Sequence, residues 1–144
     1  MKPYLFEHHI LPSEFNFPSD YLDVVLNNKI IDIKPWNLLS NNMFRSIYNY
    51  SFMLLTFPKA TLVPFALIRY QAGPYNNEWS VVAYFDNENA KNDPIIRVHD
   101  SAKPKSTLWN NPTYSSFSEW LKTAKQQAST MIQDKPQVKI ISDL

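Results

Sequence analysis

Three histidines are the first residues to test for chemistry. Glu7-His8-His9 sets a carboxylate beside two imidazoles, donor types that hold zinc. Neighbours on an extended chain point to opposite sides, so these three do not converge on one ion unaided. His99 is the remaining imidazole, and the chain has no cysteine to complete a ligand set. No metal and no cofactor is expected. His99-Asp100 is half of a Ser-His-Asp arrangement, yet no serine sits in a glycine-flanked elbow. A histidine at a strand end before an acidic turn residue reads as structural.

Two carboxylate pairs are candidates for acid–base work. Asp20 and Asp23 lie three apart on an expected helix, and Glu88 and Asp93 share a polar loop. Such work needs a carboxyl group whose affinity for protons is shifted by burial or a like charge. All four fall where solvent is expected. Asn49-Tyr50-Ser51 is a formal glycosylation sequon in a chain without a secretion signal. Trp79, Tyr84, Trp109 and Tyr114 offer faces for stacking on bases or sugars. No basic surround accompanies them, and core or interface packing accounts for them more simply.

The composition closes off larger classes. Gly73 is the sole glycine, so phosphate loops, dinucleotide fingerprints and nucleophile elbows cannot form. A net charge of +1 with three arginines, Arg45, Arg69 and Arg97, leaves no footprint for nucleic acid or an anionic membrane. The longest apolar stretch, near Ser51 to Phe57, is too short to span a bilayer. Glu7, His8 and His9 interrupt what a signal peptide would need, so a cytoplasmic location is expected. At 144 residues, 44% hydrophobic and 15% aromatic, residues 1–144 are expected to form one domain with a sizeable core.

The elements that position these residues follow from periodicity. Met1 to Phe17 reads as an extended lead-in. Phe17-Pro18-Ser19-Asp20 starts a helix that Asn27-Asn28 ends. Ile30 to Ile33 suggests a short extended piece before Pro35. Ser40-Asn41-Asn42 caps a second helix with Met43, Phe44, Ile47 and Tyr48 on one side. Ser51 to Thr56 either continues that helix or turns into a strand. Leu62–Tyr70, Trp79–Asp86 and Ile95–His99 alternate as three strands of an antiparallel meander, separated by a turn at Gly73–Asn77 and a polar loop at Asn87–Asp93. The loop from Asp100 to Thr113 is expected at the surface. Ser116-Phe117-Ser118-Glu119 is a capping box opening a helix through Ala128, and Val138 to Ile141 can add a last strand. The fold class is therefore α+β, an antiparallel meander with helices packed on one face and a closing C-terminal helix.

Three segments in this order resemble the SUKH superfamily: Leu62-Val63-Pro64-Phe65-Ala66, Trp79-Ser80-Val81-Val82-Ala83-Tyr84, and Ser115-Ser116-Phe117-Ser118-Glu119-Trp120-Leu121. Phe17-Pro18-Ser19-Asp20-Tyr21-Leu22 is similar to the superfamily's first helix. The resemblance spans about Phe17 to Ala128. Where many members carry an Asn-Gly turn after that helix, this chain has Asn27-Asn28-Lys29. The resemblance implies no enzymatic role. It implies an immunity protein that binds and neutralises a bacterial toxin domain, such as a nuclease, or alternatively a regulatory scaffold for a cellular protein. A hydrolase built on His99 and a carboxylate is a third and lesser reading. Aromatic and arginine side chains dominate protein interfaces, which makes Tyr84, Arg97 and Trp109 the expected partner contacts, on strand and loop positions able to face outward.

Overall fold

A computed structural model of the chain describes residues 2–72, 77–88, 93–100, 113–127 and 138–141. Helix α1 (Ser19–Leu26) precedes strand β1 (Asn37–Leu38), a single 3-10 turn (Leu39–Asn41) and helix α2 (Met43–Thr56). Strands β2 (Leu62–Ala72), β3 (Asn77–Asp86), β4 (Ile95–Asp100) and β5 (Thr113–Tyr114) follow, then helix α3 (Phe117–Gln127) and strand β6 (Val138–Ile141). The fold is α+β with an antiparallel meander and a closing helix packed on the sheet.

The six strands run β1-β2-β3-β4-β5, with β6 also pairing β2. Every pairing is antiparallel, and Leu67 faces Val82 while Ala83 faces Val98. Strands β1 and β6 divide one edge of β2, at Ala66–Leu67 and at Arg69–Ala72 respectively. Pro64, which has no N–H to give a ladder, lies on a stretch of that edge where neither strand pairs. The register shifts between Pro64 and Ala66, so Phe65 occupies a bulge and stacks on Phe85 with ring centroids 4.2 Å apart.

That stack is the centre of one covered face. Tyr21 of α1 and Phe117 and Trp120 of α3 all meet Phe65 at 5.0–5.9 Å. The opposite face, carrying Leu67, Val82, Tyr84 and His99, lies under α2 and Phe57. The helices are thus divided between the two faces: α1 and α3 share one, and α2 takes the other. Leu62 to Tyr70 and Val81 to Asp86 are buried without interruption for this reason.

Helix ends are set by asparagine, serine and aspartate. Asn28 stands at φ 49°, where Lys29 N–H donates to Val24 O and Asn28 N–H to Val25 O. This is the Schellman geometry that glycine usually supplies. Asn42 caps α2 by accepting from Arg45 N–H at 3.0 Å, and α2 continues unbroken through Ser51–Thr56. Ser116 Oγ accepts from Glu119 N–H at 3.2 Å, as the capping box requires. Asp20 adds a second cap: its Oδ2 accepts from Ser118 N–H and Ser118 Oγ, tying the start of α1 to the start of α3. Asp20→Ala is expected to cost about 1 kcal/mol of stability, typical of a lost cap. Asp20→Asn, which keeps an acceptor, should recover part of it in thermal unfolding.

The N-terminal segment is more than a lead-in. Tyr4 N–H donates to Ser40 O at 2.8 Å, Phe6 packs on Tyr50, and Phe15 packs on Phe17 and Phe85. Tyr50 Oη–H donates to Ile10 O at 2.6 Å. Phe6 and Phe15 are core residues, although residues 2–17 contain no strand. Ile30–Ile33 is likewise irregular.

Candidate functional site

The residues singled out for chemistry do not assemble. Glu7 and His9 meet at 3.3 Å, both well exposed, and the described residues hold no group of three metal-ligating side chains. Asp20 is engaged in capping. Asp23 accepts from Asn27 and Lys29; the Lys29 ammonium, then the Asn27 amide, hold its carboxyl below the usual value. Glu88 N–H donates to Asp86, and Glu88 and Asp93 are exposed. Asn49 is buried, and its amide is spent on Arg45 O at 2.8 Å, so the formal sequon offers no accessible acceptor.

The aromatic candidates separate as well. Trp79 stacks on Tyr70 at 5.6 Å, whereas Tyr84 meets Phe57 at 6.4 Å. Tyr84 does not face outward. It is 1% exposed beneath α2, and burial raises its phenol above the ordinary value. Alternation along a strand assigns a side, but with both sides covered neither is free. Arg97 is held inward by Asp86 at 2.6 Å, with side-chain exposures of 13% and 2%. Trp109 lies outside the described residues.

His99 sits at the floor of a cleft of about 420 Å³ between α2 and strands β2–β4. Phe57 meets its ring edge-on at 5.3 Å, and its Nδ1 and the Trp79 Nε1 are buried without hydrogen-bond partners among the described residues. Burial lowers the pKa of His99 below 6.5, with the neighbouring Asp100 carboxylate opposing the shift. The unfolded chain therefore takes up this proton first, and stability should fall as pH drops below about 6.5. Urea midpoints across pH 5–7.5 should show that slope, and His99→Gln should flatten it. An equal slope in the variant would place the proton elsewhere.

The feature the structure adds is on α2. Among its 14 residues only Arg45 is charged. The helix buries Ser46, Asn49, Tyr50 and Met53, while Met43, Phe44, Ile47, Tyr48, Phe52, Leu54 and Leu55 are exposed, Phe44 at 70% and Leu55 at 83%. The apolar side read from Met43, Phe44, Ile47 and Tyr48 is thus exposed, with Tyr48 also bordering the cleft over Leu67 and Val82. The sequence does carry a signal for this: a helix apolar nearly all round has more apolar surface than one buried stripe uses. At the ~150–250 Å² covered by a large aromatic side chain, the seven exposures amount to roughly 600–800 Å². A monomer ordinarily leaves bare a few hundred.

No family model matches this chain, and no curated protein or solved structure does either. No helix among the described residues is long and apolar enough to cross a membrane.

Proposed function

We propose that this chain acts by binding another protein, and that it does so as a cytoplasmic immunity protein occupying a toxin domain. The observation that carries the binding reading is the exposed apolar face of α2. A helix that buries two polar side chains and leaves seven large apolar ones in water is arranged for a partner. The toxin as partner rests on the resemblance of the Leu62–Ala66, Trp79–Tyr84 and Ser115–Leu121 segments to the SUKH superfamily. Phe44, Tyr48 and Leu55 replace Tyr84 as the expected contacts, because they are accessible.

The test is a competition between sister cells. A strain lacking the gene should be killed by toxin-bearing sisters and grow normally alone. The wild-type gene should restore protection and Phe44→Glu should not, while the variant keeps its helical circular dichroism. A deletion strain that survives competition but grows abnormally in monoculture would instead indicate a regulatory scaffold.

A further inference from the structure

The exposed face of α2 has a spacing that selects among possible partners. Phe44, Tyr48, Ser51 and Leu55 recur at intervals of four, three and four, the 3-4 alternation that lets one helix pack along another. Ile47 and Leu54 flank this seam on one side, also exposed. Its polar member makes no demand on a partner, since Ser51 Oγ–H already donates to Ile47 O at 3.0 Å.

The seam is also self-complementary. A two-fold axis crossing α2 antiparallel to itself between Tyr48 and Ser51 sets Phe44 of one copy against Leu55 of the other, and Tyr48 against Ser51. Large residues then face smaller ones along the whole seam. Charge points the same way. α2 has no acidic residue in its first turn and no basic residue in its last, and Arg45 lies close to the positive end of its own helix dipole. In the antiparallel pair each Arg45 comes to the level of the other copy's last turn, whose carbonyl oxygens favour a cation. Of the exposed apolar surface, the seam and its flank (Phe44, Tyr48, Leu55, Ile47 and Leu54) offer roughly 450–600 Å², more than half of the ~800 Å² that each partner brings to an interface of standard size.

We infer that a second copy of this chain covers the face in the resting protein, as a two-fold dimer paired antiparallel through α2. The inference rests on reading α2 as a protein-binding face and names its occupant when no toxin is bound; a toxin binding there does so in exchange for the second copy. An isologous contact of this kind closes on itself and leaves no apolar ridge for open-ended association.

The chain has no cysteine, so a single introduced thiol reports on the axis. Purified protein at about 50 μM should run in light scattering at twice the 16.9 kDa chain mass. Ser51→Cys, next to the axis, should form a disulfide-linked dimer in high yield on mild oxidation. Lys122→Cys, exposed on α3, should stay monomeric once denatured. Leu55→Glu should weaken the dimer at least about 100-fold and run at one chain mass with unchanged circular dichroism. A wild-type monomer at that concentration overturns the inference. So does a dimer whose mass is indifferent to Leu55→Glu and whose Ser51→Cys variant does not cross-link. A wild-type monomer whose protection of sister cells still depends on Phe44 removes the second copy and keeps the partner-binding reading. A cross-linked α2 dimer that protects nothing keeps the dimer and removes the toxin.

Discussion

Replacing Arg97 by alanine is expected to destabilise the fold by about 3–5 kcal/mol, the cost of stranding one member of a buried ion pair. Asp86 ends β3 with its side chain 2% exposed, and Arg97 reaches it from β4 through an Nε–H···Oδ2 hydrogen bond of 2.6 Å. Without the guanidinium the carboxylate keeps the Glu88 N–H, at 2.9 Å, as a donor. That leaves a charge in a place water does not reach. Arg97→Lys keeps the charge but not the planar donor geometry and should fall between. The pair Asp86→Leu with Arg97→Met should cost less than the two single changes added, because neither leaves an orphan. Guanidinium unfolding measures each of these variants, and an Arg97→Ala midpoint equal to wild type would show the pair to be dispensable. The same geometry shapes any interface experiment. Charge reversal at Arg97 places two carboxylates together in the sheet, so a lost partner would report on folding before it reported on binding.

What the sequence made legible divides along the range of the interactions involved. The start of α3 is local: Ser116 and Glu119 sit three residues apart, and the Ser116 hydroxyl accepts from the Glu119 N–H, the serine half of a capping box. Asn42 capping α2 and the alternation of β2, β3 and β4 are local in the same sense. Asn28 in the left-handed region is legible too, once asparagine is allowed to do what glycine does elsewhere. The N-terminal segment is the opposite case. Phe15 has no periodic neighbours, and its place in the core depends on Phe85, seventy residues away. Strands β1 and β5, of two residues each, are too short to carry a period. They exist because longer neighbours offer an edge.

The site illustrates a different limit. An apolar stripe at Met43, Phe44, Ile47 and Tyr48 follows from spacing, but spacing is silent on which side of the helix the sheet lies. Here the sheet takes the side with Ser46, Asn49, Tyr50 and Met53. Ser46 Oγ–H donates to Leu39 O at 2.6 Å, and the Asn49 amide to Arg45 O at 2.8 Å. Both polar groups are satisfied without water, so burying them costs little. That local satisfaction is what frees the more apolar side for solvent or for a partner. Tyr84 departs from its expected outward position for the complementary reason: a strand position faces solvent only if nothing covers it, and α2 does.

Phe85→Ala is expected to cost about 3–5 kcal/mol, and to be felt over most of the chain. Phe85 touches Phe15 and Phe17 of the N-terminal segment, Tyr21 of α1, Phe65 of β2 and Phe117 of α3. It therefore joins the irregular N-terminal segment to both helices on its face. Domains of this size are commonly stable by only about 5–15 kcal/mol, so the variant should unfold at markedly lower denaturant. Phe85→Leu keeps most of the apolar burial but loses the edge-to-face and stacked contacts, and should cost less. A double-mutant cycle between Phe65 and Phe85 should return a coupling of about 0.5–1.5 kcal/mol, the usual value for an aromatic pair. Because the N-terminal segment is held chiefly by this cluster and a few long-range hydrogen bonds, it should loosen first. Amide exchange at Tyr4 and Phe15, protected by Ser40 O and Pro12 O, should quicken in Phe85→Ala before exchange within β2 and β3 does. If those amides instead stay protected while the sheet opens, the segment is anchored through Phe6 and Tyr50, and Phe85 serves the sheet and helices alone.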